Sequence, residues 1–195
     1  GPDAGRKFLK AYQERSLARL HRQREQEDAF VRLARETIEQ YVRSKEVLRC
    51  PGTLPEEMRK RRAGVFVSLK KDGRLRGCIG TIQAVQASLA EEIIYNAVSA
   101  CSKDPRFEPV SQEELEHLTI HVDVLGDTER IDSPEELDVK RYGVIVTSGY
   151  RRGLLLPNLE GVDTVEEQIA IARQKAGIGG TEEVELERFE VVRHF

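Results

Sequence analysis

The segment RLRGCIGT, residues 74–81, places Cys78 between two glycines and two residues after Arg76. Alternate side chains of a strand point to the same face, so Arg76 and Cys78 would be neighbours. A guanidinium beside a thiol favours the reactive thiolate, and flanking glycines permit close approach of a ligand. The pattern predicts either a reactive thiol or, because cysteine is often fully buried, a packing position.

A cysteine nucleophile also needs a base within hydrogen-bond reach, and His121 with Asp123 are the sequence candidates. LTIHVDVL, residues 118–125, alternates apolar and polar residues as a half-buried strand does, which puts both polar side chains on one face. His117 and His121 have a spacing that could bind metal on a helix. The strand pattern argues against that metal site.

The segment DPRFEPV, residues 104–110, reads as an extended loop in which Asp104, Arg106 and Glu108 could converge on a site. The alternative is an internal pair between Asp104 and Arg106 that fixes the loop. No nucleotide, dinucleotide, zinc-protease, serine-hydrolase or calcium motif occurs. We therefore expect no cofactor of the chain's own.

The 195 residues carry 31 Lys and Arg against 34 Asp and Glu, so the net charge of −3 favours neither nucleic acid nor a membrane. Three cysteines without a CxxC pair predict neither a disulfide framework nor a zinc site. No apolar run approaches the ~18 residues that cross a bilayer, so we expect a cytoplasmic protein. Gly1 and Pro2 resemble the scar of a cleaved tag.

The first part of the chain is predicted to be helical. Residues 5–24 hold seven Lys or Arg against one Glu, with apolar residues at helical spacing, namely Phe8, Leu9, Tyr12, Leu17 and Leu20. This basic helix is expected to pack a thin seam on the body or on a partner, with membrane or nucleic acid as alternatives. A charged hinge (21–28) and a core helix (27–44) with Arg35 facing solvent are expected next.

The middle of the chain begins with a proline- and glycine-containing loop at 49–64, whose basic run 59–62 is expected to be solvated. Asp72-Gly73 predicts a type I′ hairpin between strands 64–70 and 74–81. Ser88 caps a helix with an inward face of Leu89, Ile93, Ala97, Ala100 and Cys101. Ser111 and Glu114 cap a short helix ending near residue 117.

The last part of the chain shows a capped helical turn at 133–136, a hairpin with its tip at 148–152 and a strand over 184–193. Thr164 and Glu167 are expected to cap a helix over 165–176 that ends at Gly177. The strands connect through hairpins rather than βαβ units. This arrangement indicates an α+β fold with a mainly antiparallel sheet flanked by helices.

Five blocks, in order, carry a likeness to a known family: LRGCIGT, the long run NAVSACSKDPRFEPVSQEELEHLTIHVDVL, GVIV, RRGLLLP and ARQKAGI. Together they resemble the AMMECR domain family over residues 27–195, which leaves 1–26 as a basic helical extension. The resemblance implies two unequal subdomains around an antiparallel sheet. It also implies that the RGCIG segment faces a cleft between them.

The family motifs RGCIG and DPRF assign the candidate site residues. We take as catalytic candidates Cys78, Arg76 and His121, and as substrate-binding candidates Gly77, Gly80, Asp104, Arg106 and Phe107. Relatives often have serine at the position of His121, which weakens His121 as a base. No metal ligands are assigned.

The resemblance also implies partners. Relatives are encoded beside, or fused to, a MEMO-like protein and a radical SAM enzyme, the AmmeMemoRadiSam system. S-adenosylmethionine and an iron-sulfur cluster would belong to the radical SAM partner. An unknown small molecule is the expected ligand of the RGCIG cleft.

Three functional hypotheses result. In the first, the chain is a component of the three-part system and carries a reactive Cys78, with an enzymatic reaction of unspecified class. In the second, it is a non-catalytic partner subunit that binds a small molecule or substrate. In the third, it binds RNA through its basic helix, residues 59–62, Arg151 and Arg152, although aromatic residues make up only 6% and tryptophan is absent.

Overall fold

The computed structural model describes residues 2–195. The helices are α1 (Pro2–Glu25), α2 (Ala29–Ser44), α3 (Glu56–Lys60), α4 (Leu89–Ser102) and α5 (Val165–Ala176), with 3-10 helices at Gln112–His117 and Pro134–Glu136. The strands are β1 (Val65–Lys71), β2 (Arg74–Gly80), β3 (Leu118–Leu125), β4 (Glu129–Ile131), β5 (Gly143–Ser148), β6 (Arg151–Leu155), β7 (Glu185–Phe189) and β8 (Val191–His194). The α+β prediction is confirmed.

The chain divides into two compact units of unequal size. The first unit contains the residues up to Val124 together with Arg193–Phe195, and the second contains Leu125–Val192. The expected division into two unequal parts is therefore present. The cleft between them and the domain boundary at residue 27 stay predictions.

The first unit is built on a four-stranded sheet with the order β2-β1-β3-β8. Strand β1 pairs antiparallel with both β2 and β3. The apolar side of β1, namely Val65, Val67 and Leu69, is fully buried in one core with residues of α2 and α4. Asp72 and Gly73 have φ of 53° and 74°, so the β1–β2 turn has the positive dihedrals predicted for type I′.

The opposite side of this sheet, here called the outer face, carries the polar members of the same strands. Ser68 of β1 and His121 of β3 are directly opposed in the register and only partly buried. The alternation predicted for residues 118–125 is present up to Val122, but Asp123, expected on the polar side, is also buried. The outer face is where the candidate site residues meet.

The second unit has its own four-stranded sheet, with the order β4-β7-β5-β6 and antiparallel pairing throughout. Helix α5 packs on this sheet, and Ala172 is fully buried in a core with Val144 and Val146. The α5 cap is as predicted, since the Thr164 side chain accepts from the Glu167 N–H and Gly177 ends the helix at φ 69°.

The prediction of a single strand over 184–193 is wrong. Residues 185–189 form β7, which pairs with β4 and β5 in the second sheet. Residues 191–194 form β8, which joins β3 in the first sheet. The chain leaves one sheet for the other at Glu190, and apolar periodicity cannot reveal this change because both parts are extended.

Three smaller expectations near the N-terminus are also wrong. The hinge at 21–28 is mostly helical, because α1 continues to Glu25. Arg35 is buried and pairs with Glu27, Nη2 to Oε1 2.6 Å, instead of facing solvent. The loop 49–64 contains helix α3, which inserts the fully buried Met58 into the core.

Helix α1 is present as predicted, although none of its residues is buried. Its C-terminal end is tied to the first unit, because Arg24 Nη2 donates to the Leu115 carbonyl at 2.9 Å. No helix within residues 2–195 is long and apolar enough to cross a membrane.

Candidate functional site

Cys78 is positioned by the pairing of β1 with β2. Its register partner on β1 is Ser68, and the two side chains are in contact, Sγ to Oγ 3.3 Å. Ser68 is opposed on its other side by His121 of β3. Cys78, Ser68 and His121 therefore form a row across the outer face, with Ser68 between the thiol and the imidazole.

The DPRF loop binds both backbone polar groups of Cys78, its N–H and its carbonyl. The Cys78 N–H donates to Asp104 Oδ2 at 3.0 Å, and Arg106 Nη2 donates to the Cys78 carbonyl at 3.3 Å. Asp104 and Arg106 also bind each other, with Nη2 to Oδ2 2.8 Å and Nε to Oδ1 3.0 Å. The internal pair considered from the sequence exists, and it fixes the cysteine as well as the loop.

Hydrogen bonds between Asp104 and Arg106 shift the pKa values of both side chains. The hydrogen bonds from Arg106 lower the pKa of Asp104 to about 2, so this buried carboxylate is ionised at neutral pH. The same hydrogen bonds raise the pKa of Arg106, and burial opposes this shift. The Arg106 side chain is 52% exposed, so its cationic group is accessible beside the cysteine.

Arg76 is held by a carboxylate rather than standing free beside the thiol. Its Nε donates to Glu114 Oε2 at 2.8 Å and its Nη2 donates to Glu114 Oε1 at 3.0 Å. A β-bulge between Leu69 and Lys70 leaves Arg76 without an opposed residue in β1. The regular alternation of β2 ends at this bulge, and Leu75 beyond it is 42% exposed.

Phe107 is close to both arginines of the site. Its ring centroid is 5.4 Å from the Arg106 guanidinium carbon and 6.0 Å from that of Arg76. An aromatic ring this close to a guanidinium contributes cation–π stabilisation. The structure thus brings together Cys78, Arg76, Arg106 and Phe107 in one part of the first unit.

Gly77 and Gly80 are required by the packing of the protein itself. A Cβ on Gly77 would lie 2.4 Å from the Ala100 carbonyl oxygen of α4, and one on Gly80 would lie 2.2 Å from the Phe66 ring. Gly77 therefore faces the core side and Gly80 the outer face. The close approach predicted at these glycines is made by α4 and by Phe66.

His121 is half-buried, and its ring packs edge-on against Phe195 with centroids 5.3 Å apart. Burial is the main cause that lowers the pKa of His121; Arg193 and Lys70 add to it and Asp123 opposes it. Burial also raises the pKa of Asp123, although Arg193 donates to it at 2.7 Å. His121 is therefore a neutral imidazole at pH 7, separated from Cys78 by one strand.

A cavity of about 240 Å³ lies next to His121, on the far side of the row from Cys78. It is lined by β3, by the end of α1 and by the C-terminal residue, including Gln23, Thr119, His121 and Phe195. Within residues 2–195, no group of three or more His, Cys, Asp and Glu side chains has an arrangement that could hold a metal ion.

The other two cysteines differ from Cys78. Cys101 is buried in the core as predicted, and burial raises its pKa to about 11. Burial and Glu91 raise the pKa of Cys50, which packs beside the core from the loop after α2. Neither thiol lies beside an arginine-carboxylate pair of the kind that surrounds Cys78.

Two functional side chains could not be identified from the sequence. Ser68 contacts the thiol, but a serine in an alternating strand carries no special signal. Glu92 is fully buried in α4 and accepts hydrogen bonds from Thr81 Oγ1 and from the Val85 and Gln86 N–H groups, all within 2.9 Å. It fixes the loop that follows RGCIG, and only its position on the buried side of α4 could have indicated this.

Two of the basic patches proposed for RNA, residues 59–62 and the Arg151–Arg152 pair, are partly neutralised within the chain. Lys60 and Arg61 pair with Glu56 and Glu57 one helical turn away. Arg151 pairs with Glu182, and Arg152 pairs with Glu187 at 3.2 Å. These ion pairs reduce the positive charge available to phosphates at those two patches, and the RNA hypothesis then depends mainly on helix α1.

Two relatives are each 52% identical to this chain over the region that matches. A protein of Thermotoga maritima matches over 170 residues, 86% of this chain and 98% of that protein. A protein of Clostridium acetobutylicum matches over 172 residues, 88% of this chain but only 36% of that protein. The chain thus spans about a third of the length of the Clostridium relative.

A solved structure has the same fold. The crystal structure of protein PH0010 from Pyrococcus horikoshii is 34% identical, with a TM-score of 0.77 over 84% of this chain and 88% of that one. The sequence profile of AMMECR1 matches residues 31–194, which include both the RGCIG and the DPRF segments. The chain belongs to the AMMECR1 family.

Proposed function

We propose that this chain is a component of a three-part system with a MEMO-like protein and a radical SAM enzyme, to which it contributes the thiol of Cys78. The contact that carries the proposal is the one between Cys78 and the Asp104–Arg106 pair, which fixes the cysteine backbone and places a cation beside it. A fixed cation stabilises a negative sulfur, the nucleophilic form of cysteine.

The groups around Cys78 are held in fixed positions. Ser68 can donate its hydroxyl proton to a thiolate, and Gly77 and Gly80 hold β2 tightly between α4 and Phe66. A site whose parts are already fixed needs no reorganisation when charge develops on the sulfur. His121 takes no direct part in this proposal, since one strand separates it from Cys78.

The length of the Clostridium relative supports the partnership. Because the matched region makes up 36% of that protein, an AMMECR1-type region is joined there to a much longer stretch of polypeptide. Joining two proteins in one chain raises their effective concentration toward each other. S-adenosylmethionine and the iron-sulfur cluster would be supplied by the radical SAM partner.

The second candidate is a non-catalytic subunit that binds a small molecule for its partners. It is favoured by the pairing of Arg76 with Glu114 and of Arg106 with Asp104, because paired charges are suited to recognition as well as to catalysis. In this alternative the thiol shapes the site without reacting.

Alkylation followed by mass spectrometry separates the two candidates. With limiting iodoacetamide at neutral pH, the sulfur–carbon bond forms as iodide leaves and the thiol proton passes to solvent. We expect Cys78 to be labelled first, then Cys50, and Cys101 last, because burial raises the pKa of both other thiols. Labelling of Cys78 no faster than that of Cys50 would falsify the reactive-thiol proposal.

A reconstitution tests the partnership. Cys78→Ser and Cys78→Ala should retain binding to the MEMO-like and radical SAM proteins but abolish the activity of the assembly. Retained activity in both variants would assign the chain to the binding-subunit alternative. Failure of the wild-type chain to co-purify with either protein would contradict both forms of the proposal.

A further inference from the structure

The N-terminal half of α1, residues 2–15, has no buried residue. Phe8, Leu9 and Tyr12 are 69%, 56% and 58% exposed and lie on one side of the helix. Helices in water gain most of their stability from packing of an apolar side. The part of the chain that the structure describes offers no packing for this half, whereas Arg24 holds the other end.

The charge of the molecule is unevenly distributed. Helix α1 holds seven Lys and Arg against three Asp and Glu, a net charge of +4. Residues 125–192 hold eight Lys and Arg against 15 Asp and Glu, a net charge of −7. Two α1 helices would repel each other, and a surface bearing −7 would be repelled by anionic lipid. The complementary charges favour contact between α1 and residues 125–192 of another molecule.

The second unit carries a matching surface, which we call the α5 groove. It is an open groove of about 450 Å³ on α5, lined by Glu166, Ile169, Ala170, Arg173, Gln174, Ile178 and Gly180. Its floor is apolar, and Asp163, Glu166 and Glu167 lie along the start of α5. An apolar centre with a charged rim is the usual composition of a protein interface.

We propose that α1 of one copy of this chain docks in the α5 groove of a second copy. Phe8 and Tyr12 insert beside Ile169 and Ile178, and Lys7 and Lys10 face the acidic rim. Reciprocal exchange of the two helices gives a closed two-fold dimer with two identical contacts. This inference does not depend on the reactivity of Cys78.

Sedimentation velocity on the full chain tests the inference. The wild type should sediment as a concentration-dependent dimer that weakens at high salt. Phe8→Ser with Tyr12→Ser removes the inserted side chains, and Ala170→Arg fills the groove and repels α1. All three residues are exposed, so the variants should fold. Each variant should raise the dimer dissociation constant ~30-fold or more.

An experiment that mixes the two variants gives the most decisive result. The α1 variant keeps an intact groove and the Ala170→Arg variant keeps an intact α1, so an equimolar mixture should form a 1:1 complex although each variant alone is monomeric. Tyr95→Ser, which changes a 52% exposed tyrosine of α4 that belongs neither to α1 nor to the groove lining, should leave the dimer unchanged. This variant is the matched control for loss of an exposed aromatic side chain.

Three outcomes would overturn the inference. They are a wild type that stays monomeric at every concentration, a Phe8→Ser/Tyr12→Ser variant that dimerises like the wild type, and a mixture of the two variants that stays monomeric. If the wild type proves monomeric, its co-sedimentation with phosphatidylserine vesicles would assign α1 to a lipid surface instead.

Discussion

Arg76 binds both oxygens of Glu114, which ties strand β2 to the 3-10 helix at Gln112–His117. Each side chain is only 16% exposed, and Lys71 donates to the same carboxylate at 3.2 Å. The arginine that the sequence places beside the thiol is thus committed to a partly buried ion pair. Arg106 is the cation that remains accessible at Cys78.

This ion pair makes the free energy of unfolding depend on pH. The hydrogen bonds from Arg76 lower the pKa of Glu114 from 4.5 to about 2, so the pair is fully formed above the unfolded-state pKa. Its contribution is lost as the pH falls through about 2. Glu114→Gln should reduce the free energy of unfolding by about 2–3 kcal/mol at pH 7, measured by urea denaturation.

The difference between Glu114→Gln and the wild type should shrink as the pH is lowered toward 2, because the wild-type carboxylate then becomes protonated. Glu113→Gln, at the exposed neighbouring position, should follow the wild type at every pH. A Glu114→Gln deficit that is the same at pH 7 and in acid would show that the ion pair is not its cause.

The second prediction concerns the serine between the thiol and the imidazole. Ser68→Ala removes the hydroxyl that contacts Cys78 Sγ, so a thiolate loses a hydrogen-bond donor. Alkylation of Cys78 should slow about tenfold at neutral pH and converge with the wild type in alkaline solution, where the thiol is ionised in both. The rates are measured by mass spectrometry, with Cys50 as the internal reference.

Ser68→Thr is the matched variant, because threonine keeps the hydroxyl and suits a strand. Its Cys78 should react at close to the wild-type rate. If the alanine variant retains the wild-type pH profile, Ser68 has only a packing role. Equal slowing in the alanine and threonine variants would point to the same conclusion.

The third prediction concerns Gly77. In Gly77→Ala the new methyl group would meet the Ala100 carbonyl oxygen, a backbone atom that cannot move without displacing α4. We expect a loss of about 1–3 kcal/mol of unfolding free energy and slower alkylation of Cys78, since β2 must shift. Gly52→Ala, in a loop with no atom within 4 Å of the new methyl group, should be nearly neutral. Equal stability of the two variants would contradict the packing account.

Local signals in the sequence predicted most elements of this fold. The Asp72-Gly73 turn and the Ser88 and Thr164 caps depend on neighbouring residues, and each is present. The alternation predicted for residues 118–125 is present up to Val122. The separation of the strands into two sheets depends instead on long-range pairing. This is why the strand predicted over 184–193 became β7 and β8.

The site was predictable in its residues but not in its contacts. The sequence motifs indicated Cys78, Asp104, Arg106 and Phe107, which the structure brings together. Spacing alone suggested that Arg76 would face the thiol, but its actual partner is Glu114, 38 residues away in the chain. Such a partner becomes visible only once β2 and the 3-10 helix are placed side by side.

The division of the C-terminal segment between two sheets affects the order in which the protein can fold during its synthesis. Strand β3 leaves the ribosome long before β8, and the whole of Leu125–Val192 is made in between. During that interval one edge of β3 is an unprotected template for strand pairing with other chains. The second unit can fold as a continuous stretch, whereas the sheet that carries Cys78 gains its fourth strand only when residues 191–194 have been made.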